Sequence, residues 1–233
     1  MRGAMFLVAM LSVALSSSTA WAAATLEIAP TTLNLAPGEA GLLYIKNNSA
    51  ESVAMQIQPM DWKQNGNADV LSESDVLIAS PPFLRITPGQ RQIVRVFAAP
   101  TDAKHEADYR LLMSELPRPS NRASVINVLL QFNIPVFVAA EPPKPNAVWS
   151  AEVRNGDLLL ELQNSGASAM KLDGFSVSSG QRPYSPASGG LIYILPGARR
   201  EWRLPDDGSA SVQLSARDAR SGVSLDADIP VRR

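Results

Sequence analysis

The chain has 233 residues, 45% of them hydrophobic and 18% charged, with a formal net charge of −1. That is enough apolar material for one large or two small cores. The absence of any basic run argues against a nucleic-acid partner. The absence of cysteine excludes a disulfide framework, a CxxC redox motif and a Cys-ligated zinc, and the single histidine leaves most metal and triad chemistries without their usual ligands and bases.

The chain opens on Met1-Arg2, then an apolar run (4–15) and the small-residue stretch SSSTAWAAA. A charged n-region, an h-region and an A-x-A site at Ala20-Trp21-Ala22 predict a secretory signal peptide over 1–22, not a membrane anchor. Cleavage is expected after Ala22, with Ala24 as the next choice. The mature protein is then exported and near-neutral.

From Thr25 onward the pattern is β. Short runs rich in Val, Ile, Leu and aromatics alternate with turn signals: LEIAPTTLNL, GLLYIK, SVAMQIQPMDW, DVLIAS, RQIVRVFAA, DYRLLMSEL and SVINVLLQFNIPVFV. No capped helical pattern lies between them, so a sandwich is expected and not a βαβ fold. The acidic ADVLSESD (68–75) has room for one turn of helix. AAEPPKPNA (139–147) then interrupts; its prolines remove donors and stiffen the chain, as in a semi-rigid hinge. Beyond it WSAEVRNGDLLLELQN carries a strong hairpin turn at Asn155-Gly156, followed by further strand-like runs. The expectation is an all-β protein of two Ig-like β-sandwich domains: residues 23–140, a hinge over 141–147, and residues 148–233.

Catalytic signals are weak. His105 lies in the polar stretch TDAKHEADYR without a GxSxG nucleophile, and HExxH, GxGxxG and P-loop motifs are absent. PDDGS and DADIP bring carboxylates together but do not match a calcium loop. They read as surface turns, and Arg199-Arg200 and Arg232-Arg233 as solvated strand ends. No enzyme, cofactor or metal site is expected.

The run SVINVLLQFNIPVFV (124–138) is interrupted by Asn127, Gln131, Asn133 and Pro135, too often for a membrane helix of about 18 apolar residues. Read as a strand, it places Ile126, Val128, Leu130, Phe132 and Ile134 on one face. The other face is mixed. Periodicity leaves two readings open. The row packs into its own domain, or it belongs to an edge strand that gives the row to another polypeptide.

Three stretches carry a resemblance: SPPFLRITPGQRQIVRV (80–96), DYRLLMSELP (108–117) and INVLLQFNIPVFV (126–138), in that order and running into the Pro-rich hinge. With them the mature chain resembles the periplasmic chaperones of chaperone–usher pili, and YRLLMSELP is closer in flavour to the archaic branch. The resemblance implies a boomerang of two Ig-like domains without enzymatic activity. Its partners would be pilin subunits and an outer-membrane usher. The strand before the hinge would be the donor strand, with Ile126, Val128, Leu130 and Phe132 filling the subunit's groove and Ile134 near the domain corner. An exposed apolar row also makes a self-capping homodimer plausible. Better-known members grip the subunit's terminal carboxylate with an Arg and a Lys, whose positions fall at Thr32 and Pro135 here. Arg95 and Arg110, each within a family motif, are the candidate replacements. The alternative is a secreted Ig-like adhesion or structural module.

Overall fold

A computed structural model describes residues 25–100, 105–117, 128–140, 144–180, 182–184 and 192–233. The predicted signal peptide, most of the PRPSNRA loop, Ile126 and part of the hinge (141–143) lie outside the described residues. No helix occurs among those described.

The first domain comprises β1 (Leu26–Ala29), β2 (Leu33–Leu35), β3 (Ala40–Asn47), β4 (Val53–Asn65), β5 (Ala68–Glu73), β6 (Leu77–Ser80), β7 (Phe83–Ile86), β8 (Arg91–Ala98), β9 (Ala107–Glu115) and β10 (Gln131–Val138). One sheet runs β1-β3-β8-β6 and the other β2-β10-β9-β4-β5, with β7 on β4. Alternation builds the core between them. On β8, Val94, Val96 and Ala98 face in while Arg91, Ile93 and Arg95 face out. The inward set packs in one cluster with Leu43, Ile45, Met55, Ile57, Leu111 and Met113. Each such aliphatic side chain contributes roughly 1.5–3 kcal/mol on burial.

LEIAPTTLNL, one run in the sequence, is two strands. Pro30 has no N–H to give a ladder. Before it, β1 pairs antiparallel with β3; after it, β2 changes sheet and pairs parallel with β10 at Val136–Val138. The helical option for ADVLSESD is corrected to strand: β5 pairs with β4 from Met60 to Asn65. A two-residue turn with Gly66 at φ 58° returns the chain directly onto the β4 ladder, which leaves no room for a helical turn.

The second domain comprises β11 (Ala147–Arg154), β12 (Asp157–Asn164), β13 (Met170–Ser179), β14 (Arg182–Tyr184), β15 (Ile192–Ile194), β16 (Arg199–Pro205), β17 (Ser211–Asp218) and β18 (Ala227–Arg232). Its strand order is β14-β13-β17-β18-β11-β12-β16, with β15 on β13. The Asn155-Gly156 turn joins β11 to β12 with both residues at positive φ, 55° and 85°. That is the geometry the dipeptide favours.

Each domain holds a buried asparagine in the same role. Asn47 Nδ2 donates to the carbonyls of Glu51 (2.7 Å) and Ile86 (2.9 Å), and its Oδ1 accepts from Ser49 N–H. Asn164 Nδ2 donates to Ser168 (2.7 Å) and Ile194 (2.9 Å), and its Oδ1 accepts from Gly166 N–H. A Pro-Gly turn closes onto each of them: Gly89 N–H meets the Asn47 carbonyl and Gly197 N–H the Asn164 carbonyl. Both amides satisfy buried backbone groups that would otherwise lack partners.

Candidate functional site

β10 performs three tasks that its periodicity separates. Its even-numbered side chains form one apolar row. Ile134, Val136 and Val138 lie in the first-domain core, with Ile134 only 7% exposed, and Phe132 packs against that core from a half-buried position. Toward the N-terminus the row leaves the core: Leu130 is half-buried and Val128 is 70% exposed. Leu129 and the odd-numbered Gln131 and Asn133 are also exposed.

The open edge follows from strand lengths. β9 pairs with all of β10, from Gln131↔Ser114 to Val138↔Ala107. On the other side β2 covers Val136–Val138 only. Glu115 N–H donates to the Leu130 carbonyl and Ala139 N–H to the Leu35 carbonyl. Antiparallel alternation therefore points the backbone groups of residues 130, 132 and 134 at β9 and those of 131, 133 and 135 at the uncovered edge. Pro135 occupies an outward position, where its missing N–H costs the β9 ladder nothing.

The third task belongs to Phe137, which points away from the first core into the contact between domains. It clusters with Trp62 of β4 and with Tyr193, Leu195 and Ala169 of the second domain. Trp62 meets Tyr193 edge-on at 5.3 Å between centroids, within the preferred range for aromatic pairs. The Arg110 guanidinium lies 3.5 Å from the Trp62 ring centroid and 5.0 Å from that of Tyr193, a cation–π stack across the interface. Burial lowers the Arg110 pKa below its ordinary value, opposed by the nearby Asp69 carboxylate.

A charged latch stands beside this cluster. Arg220 of the second domain grips Glu106 with two hydrogen bonds, 2.6 and 2.7 Å, and its Cζ lies 3.6 Å from the Phe137 ring centroid. Arg220 also donates to the Ala169 carbonyl and to Asn34 Oδ1 on β2. Glu106 accepts from Ala169 N–H at 2.9 Å, while its own N–H donates to the Ala167 carbonyl. Asp108 lies next to this pair, its pKa pushed up to about 8, first by burial and then by the charge of Glu106 and their shared hydrogen bond. The shift favours the protonated acid, which can donate to the Glu106 carboxylate.

The sequence candidates separate clearly. Phe132 and Ile134 share the core-side face of β10, and Val128 and Leu130 lie in the segment that leads into it. Arg95 is exposed on the outer face of the smaller sheet, opposite Leu42, whereas Arg110 is buried at the domain contact. Thr32 lines a cleft of about 820 Å³ between the domains, together with Lys144, Lys171, Arg220 and Glu106. Pro135 is buried on β10, and His105 is exposed. The sequence reading overlooked Glu106, Asp108, Lys171 and Arg220. The first two had a local signal, since Glu106, Asp108 and Arg110 alternate and place three ionisable side chains on one face of β9 and the residue before it. Arg220 and Lys171 had none.

A family model described as the pili and flagellar-assembly chaperone, PapD N-terminal domain, matches residues 25–144. The chain belongs to that family. The match takes in every strand of the first domain, including β10. The chaperone protein PapD of Escherichia coli is 33% identical over 98 residues, 40% of this chain and 41% of that protein. The alignment thus spans about two fifths of that family member's length. Among solved structures, the fold is shared with the chaperone–tip subunit pre-assembly complex CsuC–CsuE from archaic chaperone–usher Csu pili of Acinetobacter baumannii, with TM-score 0.70, 20% identity and coverage of 90% of this chain and 100% of that one. It is shared also with the Salmonella enterica SafA pilin–SafB chaperone complex (TM-score 0.62, 15% identity, 88% and 94% coverage). The E. coli chaperone DraB is similar too (TM-score 0.61, 16% identity, 89% and 98% coverage).

Proposed function

We propose that this chain is a periplasmic chaperone that holds pilin subunits by donor-strand complementation and delivers them to an outer-membrane usher. The observation that carries the proposal is the half-covered β10, whose apolar row continues past its own core while the backbone edge beside it stays open. A subunit lacking a strand would pair with that edge and receive Val128, Leu130 and Phe132 in its core, the strand-addition mode of recognition. Ile126 would extend the row, and Ile134, at the margin of the first core, would close it. Each side chain newly buried would add roughly 1.5–3 kcal/mol. Family membership, and relatives described as chaperones bound to pilus subunits, support this reading over an adhesion module.

The subunit's terminal carboxylate would enter the cleft beside Thr32. Arg95 faces away from that cleft and Arg110 is committed to the Trp62–Tyr193 stack. Lys171 lines the cleft, with its Nζ 5.9 Å from the Tyr193 ring centroid, and makes no ion pair among the described residues. It is the best placed of the three to act as anchor. Without a subunit, the open edge would suit a second copy of the chain, giving a self-capped homodimer.

The test co-expresses a pilin subunit with the wild type or with Val128→Asp plus Leu130→Asp. A soluble one-to-one complex is expected with the wild type and none with the variant. Capture by a folded variant, or unfolding of the variant itself, would refute strand donation by this row.

A further inference from the structure

The β4–β5 hairpin extends beyond the first domain and ends against the second, where two side-chain amides replace missing strand neighbours. Gln64 Nε2 donates to the Tyr193 carbonyl at 2.9 Å, and Gln64 Oε1 accepts from Leu195 N–H at 3.0 Å. These two backbone groups flank Ile194 and are the pair that a residue on a parallel neighbouring strand would engage. At the turn, Asn67 Nδ2 donates to the Glu201 carbonyl at 2.7 Å and Asn67 Oδ1 accepts from Glu201 N–H at 2.9 Å. Glu201 lies on β16, at the end of the second-domain strand order, and β12 occupies its other side. Asn67 therefore closes the two-bond pair that an antiparallel neighbour would make there.

We propose that Gln64 and Asn67 are positioning residues that set the angle between the domains, holding the hairpin as a strut against two backbone edges of the second domain. This rests on the donor-strand reading only for its consequence, the presentation of the open β10 edge to a subunit beside the second domain. The aromatic cluster and the Arg220 latch bring the domains together, but an aromatic contact tolerates tilt. Hydrogen bonds weaken steeply with misalignment. Two doubly bonded amides, one at the turn and one three residues back on β4, restrict rotation in a way that Trp62 and Phe137 do not. Both sites are substitutable without opening a core, since Asn67 is exposed and Gln64 half-buried.

The natural chain lacks cysteine, so spin labels on Arg85→Cys and Asp228→Cys, both exposed and on different domains, report the interdomain distance in the free full-length protein. The wild type should give one narrow distance distribution. Gln64→Leu plus Asn67→Ala should broaden it, leave the melting temperature unchanged and weaken pilin capture about tenfold. Gln64→Glu, which keeps size and one acceptor but sets an oxygen against the Tyr193 carbonyl, should broaden it as well. An unchanged distribution, unchanged capture, or broadening that comes with unfolding of either domain would overturn the proposal. Because the distance is read without a subunit, failure of the donor-strand reading is seen separately, as full capture by Val128→Asp plus Leu130→Asp.

Discussion

The two halves of one strand face, Val128 to Phe132 and Ile134 to Val138, have similar chemistry and different surroundings. The second half is sealed by the opposing sheet on the face and, from Val136 onward, by β2 on the edge. The first half lies beyond β2, and it leaves the core progressively from Phe132 to Val128. Hydrophobicity does not distinguish the halves; the length of the neighbouring strand does. A three-residue β2 turns the rest of β10 into an edge, and an apolar edge is a liability unless another polypeptide uses it.

The sharpest way to test the difference is to place a charge in each half. Val136→Asp puts a carboxylate into the first core, where an unpaired buried charge costs about 4 kcal/mol or more, and the first domain should lose its cooperative melting transition. Val128→Asp plus Leu130→Asp should leave that transition within the scatter of the wild type while abolishing capture. Equal destabilisation by both would erase the distinction between the halves.

A smaller effect comes from the latch beside the sealed half. Arg220→Ala strands the Glu106 carboxylate, whose side chain is 3% exposed, at a cost of roughly 3–5 kcal/mol to the domain contact. Differential scanning calorimetry should then resolve two transitions in place of a coupled one. Asp108→Asn tests the same contact through pH. The folded chain holds a proton on Asp108 up to about 8, whereas the unfolded chain releases it near the ordinary aspartate value of 3.8. Wild-type stability should therefore fall as pH rises from about 4 to about 8. The asparagine variant, which has no proton to lose, should show a shallower fall when denaturant midpoints are compared across that range. A fall as steep as that of the wild type would place the titration elsewhere.

The smallest effect is expected at the cleft. Lys171→Ala should leave the melting temperature unchanged and weaken capture by about 1 kcal/mol, the scale of a charge-assisted contact open to solvent. Isothermal titration with a peptide ending in the pilin's own C-terminus provides the check, and binding equal to wild type would remove Lys171 as the anchor.

Much of this architecture was legible in the residues, and its failures have physical causes. The alternation placed Phe132 and Ile134 on one face of β10, and Asn155-Gly156 marked its turn correctly, because both depend on local geometry. The point at which the edge of β10 opens, before Val136, was not legible, since it depends on how far β2 reaches, a contact made about a hundred residues away. Arg95 and Arg110 looked equivalent as basic residues in family motifs. They differ because β8 and β9 belong to different sheets. Glu106 and Arg220 are far apart in sequence and have complementary meaning only once the domains meet.

The most direct test of strand donation is hydrogen exchange at the Gln131 and Asn133 amides, which point from β10 toward the uncovered edge. In the free chaperone they should exchange rapidly, while the β9-facing amides of Phe132 and Ile134 are protected; in a purified complex with a pilin subunit all four should be protected. A stable complex in which Gln131 and Asn133 still exchange as fast as in the free protein would contradict the donation of this edge.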